Sequence, residues 1–273
     1  MYPLLFHFGR IAIPAYGVFT ALALLAALAL AIHEARRVDI RPDKVWNLGL
    51  IAILTALFGA RLLVVAANLR EFRAHPFWIL GLTTLPGGWI ALGGAAAGAA
   101  AAALYALAEG LPLLRTADVV APGVALAFAV NRIGAFCAGL SWGTPTRLPW
   151  GVTYRSVVAY LWYRVPLGVR LHPVQLYDAA ASLAILGLLL WLGRRRGSAS
   201  PDGEVAGAWL FLYGLCRFFL EFFRGDAARE PLLGGALTLA QLLSTAAVLL
   251  GGALWLRRQP RMHDEEQATV LSS

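Results

Sequence analysis

The chain has 273 residues, of which 59% are hydrophobic and 14% charged, with a mean hydropathy of +0.68. A soluble domain carries about a quarter of its residues as charged side chains, so this composition excludes an ordinary soluble fold. The formal charge of +8 does not point to nucleic acid: the basic residues flank apolar runs, where anionic phospholipid headgroups would meet them.

Seven apolar runs approach the roughly 20 residues needed to cross the hydrocarbon core: residues 11–32, 45–67, 88–108, 117–140, 174–192, 205–223 and 232–256. Backbone exposed to lipid must satisfy its own hydrogen bonds, and the runs lack the alternation of a membrane barrel, so they are read as helices. The expected fold is an all-α integral membrane bundle of about seven transmembrane helices, one transmembrane domain over residues 1–261. Residues 11–32 are too long for a signal core, with no basic cluster before them, and are read as a retained helix. Residues 88–108 hold Gly93, Gly94, Ala95, Ala96, Ala97 and Gly98, small enough for close helix approach, which predicts a place inside the bundle. Residues 141–172 form a long segment rich in Arg, Tyr, Trp and Pro, expected to be an extracytoplasmic head. Residues 262–273 are polar and expected to be a disordered tail. Clustered Arg36 and Arg37, Arg194 to 196, and Arg257 and Arg258 all fall on one side, which predicts an outer amino terminus and a cytoplasmic carboxyl terminus.

Three arginines lie within the runs: Arg61, Arg132 and Arg217. Burying one in a membrane costs several kcal/mol, so each either snorkels to an interface, pairs structurally, or serves a function. Tyr213, Arg217, Glu221 and Arg224 recur at i, i+4, i+8 and i+11, one face of a continuous helix. Arg217 and Glu221 are expected to pair, leaving a guanidinium oriented to grip a phosphate. His172, Pro173, Gln175, Tyr177 and Asp178 open the fifth run, with polar groups at headgroup level. Asp118 is expected to stabilise the amino terminus of the fourth helix. Cys137 and Cys216 are read as packing residues; no metal and no cofactor is expected.

Taken together these stretches resemble the prolipoprotein diacylglyceryl transferases of bacterial membranes. The matching pieces run in family order: Tyr16-Gly17; Gly59-Ala60-Arg61-Leu62; Gly87-Gly88 and Gly93-Gly94; Asp118 with Pro122; and Arg132-Ile133-Gly134 with Gly139, Trp142 and Gly143. His172-Pro173-Val174-Gln175-Leu176-Tyr177 follows, then Tyr213-Gly214 with Arg217, Glu221 and Arg224, and Leu237-Thr238 with Gln241. The chain departs from the pattern at Asn131, Ala135, Ala138 and Leu140, and Leu92 stands where the family has a histidine. The resemblance implies transfer of a diacylglyceryl group from phosphatidylglycerol to the lipobox cysteine of a prolipoprotein, in the bacterial inner membrane. It also implies roles: Arg132, Arg217 and Glu221 in catalysis, and Tyr16, Arg61, Gly134, Gly143, His172, Gln175, Tyr177, Tyr213 and Arg224 in substrate binding. Its partners would be phosphatidylglycerol, prolipoprotein signal peptides and membrane lipids. A transferase with another acceptor, a non-catalytic lipid- or lipoprotein-binding relative, and a receptor or transporter are the alternatives.

Overall fold

A computed structural model describes residues 2–8, 11–75, 88–195, 202–226, 231–232 and 237–255. Six of its helices are long and apolar enough to cross a membrane, so the protein is an all-α, multi-pass membrane bundle. The polar tail, Gly87, Arg196, Arg257 and Arg258 lie outside the described residues. The chain divides into two compact units, residues 1–30 with 117–273, and residues 31–116.

The smaller unit is built on α2 (Pro42–Ala67), α3 (Leu69–Ala74) and α4 (Gly88–Ala108). Pro42 sits in the first turn of α2, where its missing N–H has no helical partner to lose. A side chain at Gly98 would lie 2.5 Å from the Ala52 carbonyl and 2.9 Å from Ala56, and one at Gly94 2.6 Å from the Ala56 carbonyl. Hydrogen alone permits that approach, and it welds α4 to α2 along one stripe. The rest of α4 is more open than the sequence reading expected: Leu92 is 42% and Leu104 67% exposed. Small residues let one face dock; they do not require burial all round. At the ends of these helices Lys44 pairs with Glu109 at 3.2 Å and donates to the Glu109 carbonyl at 2.8 Å.

The larger unit opens with a hairpin, β1 (Leu4–Phe8) and β2 (Ile11–Pro14), leading into α1 (Ala15–Arg37). The apolar run predicts a helix from residue 11, but the helix begins at Ala15, because residues 11–14 pair with residues 4–8. Next come α5 (Leu113–Ala138), α7 (Val174–Arg195), α8 (Glu204–Leu220) and α9 (Leu239–Trp255), with a head between α5 and α7. Ala121, Ala125, Ile185, Leu189, Val205 and Ala208 form the core between α5, α7 and α8. Thr238 and Gln241 cap α9 reciprocally: Gln241 Oε1 accepts from the Thr238 N–H at 3.0 Å, and Thr238 Oγ1 from the Gln241 N–H at 3.2 Å.

Two local expectations are corrected. Asp118 does not serve its own helix, whose amino terminus lies five residues earlier at Leu113. Its buried carboxylate instead accepts from the N–H groups of Gly203 (2.7 Å) and Ala206 (2.8 Å), capping the start of α8. The sixth run is not one straight helix to residue 223 either. It ends at Leu220, tightens into a 3₁₀ turn over Glu221–Phe223, and turns extended at Arg224. Arg224 therefore leaves the helical face predicted for it.

Candidate active site

The head begins where α5 stops. Gly139 adopts φ +85° and lets its own N–H and that of Leu140 return to the Ala135 carbonyl, both at 2.9 Å. Within the head, β3 (Val152–Thr153) pairs with β4 (Arg170–Leu171), and α6 (Val157–Tyr163) is capped by Ser156. Tyr154, Ala159, Val165 and Leu171 make its small core with Trp142. Burial pushes the Tyr154 phenol up to about 12. That phenol neighbours Gln175 Nε2 at 3.2 Å, which also donates to the Leu140 carbonyl at 2.7 Å. Gln175 thus staples the start of α7 to the end of α5.

A backbone ribbon fastens the head to the end of α8. Thr144 N–H donates to the Phe223 carbonyl at 2.8 Å, Gly225 N–H to the Trp142 carbonyl at 3.0 Å, and His172 N–H to the Thr144 carbonyl at 2.9 Å. Gly143 lies in this ribbon, bridged to Arg224. A Cβ there would collide with the His172 carbonyl and come 2.7 Å from Val174.

Three arginines converge where α5, α7 and α8 meet the head. Arg132 Nε lies 2.8 Å from Asp178 Oδ2, an ion pair whose N–H is not aligned for a hydrogen bond. Arg217 contacts Glu221 Oε2 at 2.7 Å, the pairing expected from their spacing. Arg224 reaches the same oxygen at 3.1 Å and grips Asp226 in a two-pronged contact at 2.9 and 2.7 Å. Three guanidinia thus face three carboxylates, and each arginine side chain is at least four-fifths buried. Arg132, Arg217 and Arg224 line a small, open-mouthed pocket together with Ser141, Val174, Gln175 and Asp178. Glu221 Oε1 and Gln175 Oε1 are buried without a hydrogen-bond partner, so the site retains acceptor capacity beside its donors.

The other expected site residues surround this cluster or lie apart from it. Tyr213 stands one turn before Arg217, within hydrogen-bonding reach of the Arg132 guanidinium, its ring 4.7 Å from Phe128 and stacked at 5.7 Å on Trp209. Tyr16 donates to Asn131 Oδ1 at 3.5 Å, and Asn131 donates to Thr20 at 2.9 Å, so the residue beside Arg132 is tied to α1. Gly134 faces Phe19 of α1, with no room for a side chain. The Tyr177 hydroxyl, on α7, accepts from Trp150 Nε1 of the head at 2.7 Å and lies 3.4 Å from His172 Nδ1, outside the pocket lining. Arg61 belongs to the smaller unit, where its guanidinium lies 5.4 Å from the Phe72 ring centre. Asp178 and Asp226, the partners of Arg132 and Arg224, were not anticipated as site residues. Among the described residues no three His, Cys, Asp or Glu side chains are grouped to hold a metal.

Comparison with known proteins gives this geometry a context. The family model described as prolipoprotein diacylglyceryl transferase matches residues 3–257. Among the relatives, the phosphatidylglycerol–prolipoprotein diacylglyceryl transferase of Clostridium tetani is 30% identical over 92% of this chain and 95% of its own. Proteins of the same name from Chloroflexus aggregans and Ruegeria pomeroyi are 33% and 34% identical, covering 88% and 86% of this chain and 83% and 82% of theirs. A match of this extent, taking in every element that carries the arginine pocket, makes the chain a member of the prolipoprotein diacylglyceryl transferase family.

Proposed function

We propose that the protein transfers the diacylglyceryl group of phosphatidylglycerol to the lipobox cysteine of a prolipoprotein, and that the pocket of Arg132, Arg217 and Arg224 holds the phosphate that leaves. The thiol sulfur bonds to the terminal glyceryl carbon of the diacylglycerol while that carbon's bond to the phosphate oxygen breaks. The products are a thioether and glycerol phosphate, and the thiol's proton ends on the phosphate monoester. Negative charge grows on that phosphate during the step, and fixed guanidinia stabilise it without reorganising. Glu221 orients Arg217 and Asp178 orients Arg132, so each fork meets the phosphate already turned toward it. Tyr213 sits at the same level for headgroup oxygens. Gly134 and Gly143 act by shape, admitting α1 and the ribbon beside His172. His172, Tyr177 and Gln175 fix the head over the pocket, and Tyr16 holds the Asn131 end of α5. Leu92 stands where the family has a histidine, and the phosphate monoester takes the proton.

The carrying observation is the set of three buried arginines held by carboxylates around one pocket. Reconstitution with labelled phosphatidylglycerol and a lipobox peptide tests it: the natural protein forms the thioether. Phosphatidylglycerol bound by verified folded protein with no thioether at long times refutes the reading and favours another acceptor. Leu92→His is the companion variant; an added base would raise turnover by up to about 10²–10⁴-fold.

The seventh crossing is assigned to α9, whose 17 described residues span about 25 Å. With seven crossings and the clustered arginines inside, the amino terminus faces outward and the carboxyl terminus the cytoplasm of a bacterium. Reporter fusions within residues 141–172 are expected to signal outside; a cytoplasmic signal there overturns the topology.

A further inference from the structure

Residues 141–172 join the end of one membrane-spanning helix, α5, to the start of another, α7. Both ends of the head are therefore tied to the bilayer, and it lies at the membrane surface. What it turns outward is unlike a water-facing domain. On α6, Ala159 points inward and is fully buried, while Val157, Tyr160 and Leu161 are exposed by 61%, 42% and 61%. These three positions follow the spacing i, i+3, i+4 and share one face, and Arg164 ends the helix as its left-handed cap. The Arg164 guanidinium lies 5.8 Å from the Tyr160 ring centre. Trp150 and Trp162 add exposed aromatic surface nearby in the chain, at 57% and 44%. A helix packed on a core in water would carry polar side chains on that outward face.

Charge points the same way. The segment contains Arg147, Arg155, Arg164 and Arg170, all exposed, and no Asp or Glu. A second copy of this face would set arginine against arginine, which opposes self-association through it. An anionic phospholipid surface satisfies both halves: aromatic and aliphatic side chains enter the boundary of the acyl chains while guanidinia stay with the phosphates.

We propose that the outer face of the head, centred on α6, docks in the headgroup layer and gathers anionic phospholipid there. The same head contributes Ser141 to the arginine pocket. Lipid held at this face is thus concentrated at the end of the bundle where the pocket lies.

The test uses the full chain with Cys137→Ala and Cys216→Ala and an environment-sensitive fluorophore on Leu161→Cys. The labelled protein is reconstituted in vesicles of phosphatidylcholine, alone or mixed with phosphatidylserine, an anionic lipid distinct from the transferase's donor. Nitroxides placed shallowly on the lipid should quench the label, and aqueous iodide should not. Spin-labelled phosphatidylserine should outcompete spin-labelled phosphatidylcholine, and Arg155→Gln and Arg164→Gln should each cut that preference by about fivefold. Free access of iodide without lipid quenching overturns the proposal, because the head then stands clear of the membrane. Protection from both quenchers overturns it in favour of a protein partner. Equal quenching by both lipids, unchanged in the arginine variants, overturns the anionic preference. No readout depends on turnover, so failure of the transferase reading leaves the result intact.

Discussion

Glu221→Gln probes how the arginines of the pocket are held. The carboxylate is 1% exposed, with Arg217 at 2.7 Å and Arg224 at 3.1 Å on one oxygen. At an effective dielectric of about 20, a unit-charge contact near 3 Å is a gross attraction of about 5–6 kcal/mol. Desolvation offsets most of it, yet removing one partner of a buried pair still costs about 3–5 kcal/mol. Glutamine keeps the shape and one acceptor, so about 3 kcal/mol of stability is the expected loss. The two arginines should not suffer equally, because Arg224 keeps its two contacts to Asp226. The assay is a pair of double-mutant cycles on turnover per folded molecule in proteoliposomes. Arg217→Lys combined with Glu221→Gln should show a coupling of about 1–3 kcal/mol, and Arg224→Lys with Glu221→Gln less than about 1 kcal/mol. Additivity within about 0.5 kcal/mol for the Arg217 pair would falsify the idea that Glu221 positions Arg217.

Arg132→Lys keeps the charge but loses the planar fork, and should lower turnover by about 10²-fold or more in protein that still inserts; near-normal turnover would show that Arg132 is structural. Asp118→Ala removes two charge-assisted bonds to the start of α8 and should destabilise the protein by about 2–4 kcal/mol in detergent unfolding; an unchanged midpoint would mean that another group caps α8. Gly143→Val should push the ribbon off His172 and abolish activity while lowering the melting temperature, and a variant that melts and turns over like the parent would show that the ribbon can yield.

The spans were legible because lipid imposes one rule on every residue of a crossing, and long apolar runs obey it openly. Ends were less so. Residues 11–14 are as apolar as the helix after them, and only their pairing with residues 4–8 makes them strand. The ion pair of Arg217 and Glu221 could be read from a spacing within one helix. Asp178 could not be matched to Arg132 in the same way, since 46 positions of sequence separate them and the head lies between. Asp226 was hidden for a different reason. Two residues apart on a helix, it would have pointed away from Arg224, and only the switch from 3₁₀ turn to extended chain brings the two together. Asp118 gave a correct clue, a carboxylate near a helix start, but the helix in question is capped at Gly203, 85 positions later.

That last contact bears on how the protein is made. A chain enters the membrane amino end first, so α5 is synthesised well before α8. Until α8 arrives, the Asp118 carboxylate on α5 lacks the two N–H groups that α8 brings to it. Until it meets α5, α8 has an open end with donors unmatched. Each is poorly suited to lipid alone, and each relieves the other. The joint forms only when both helices have been delivered to the same depth and in the same direction, which ties assembly of the bundle to correct threading. A molecule with α8 threaded backwards would lose both bonds from the start of that helix to Asp118, a lesion that membrane quality control can act on before any lipid substrate is met.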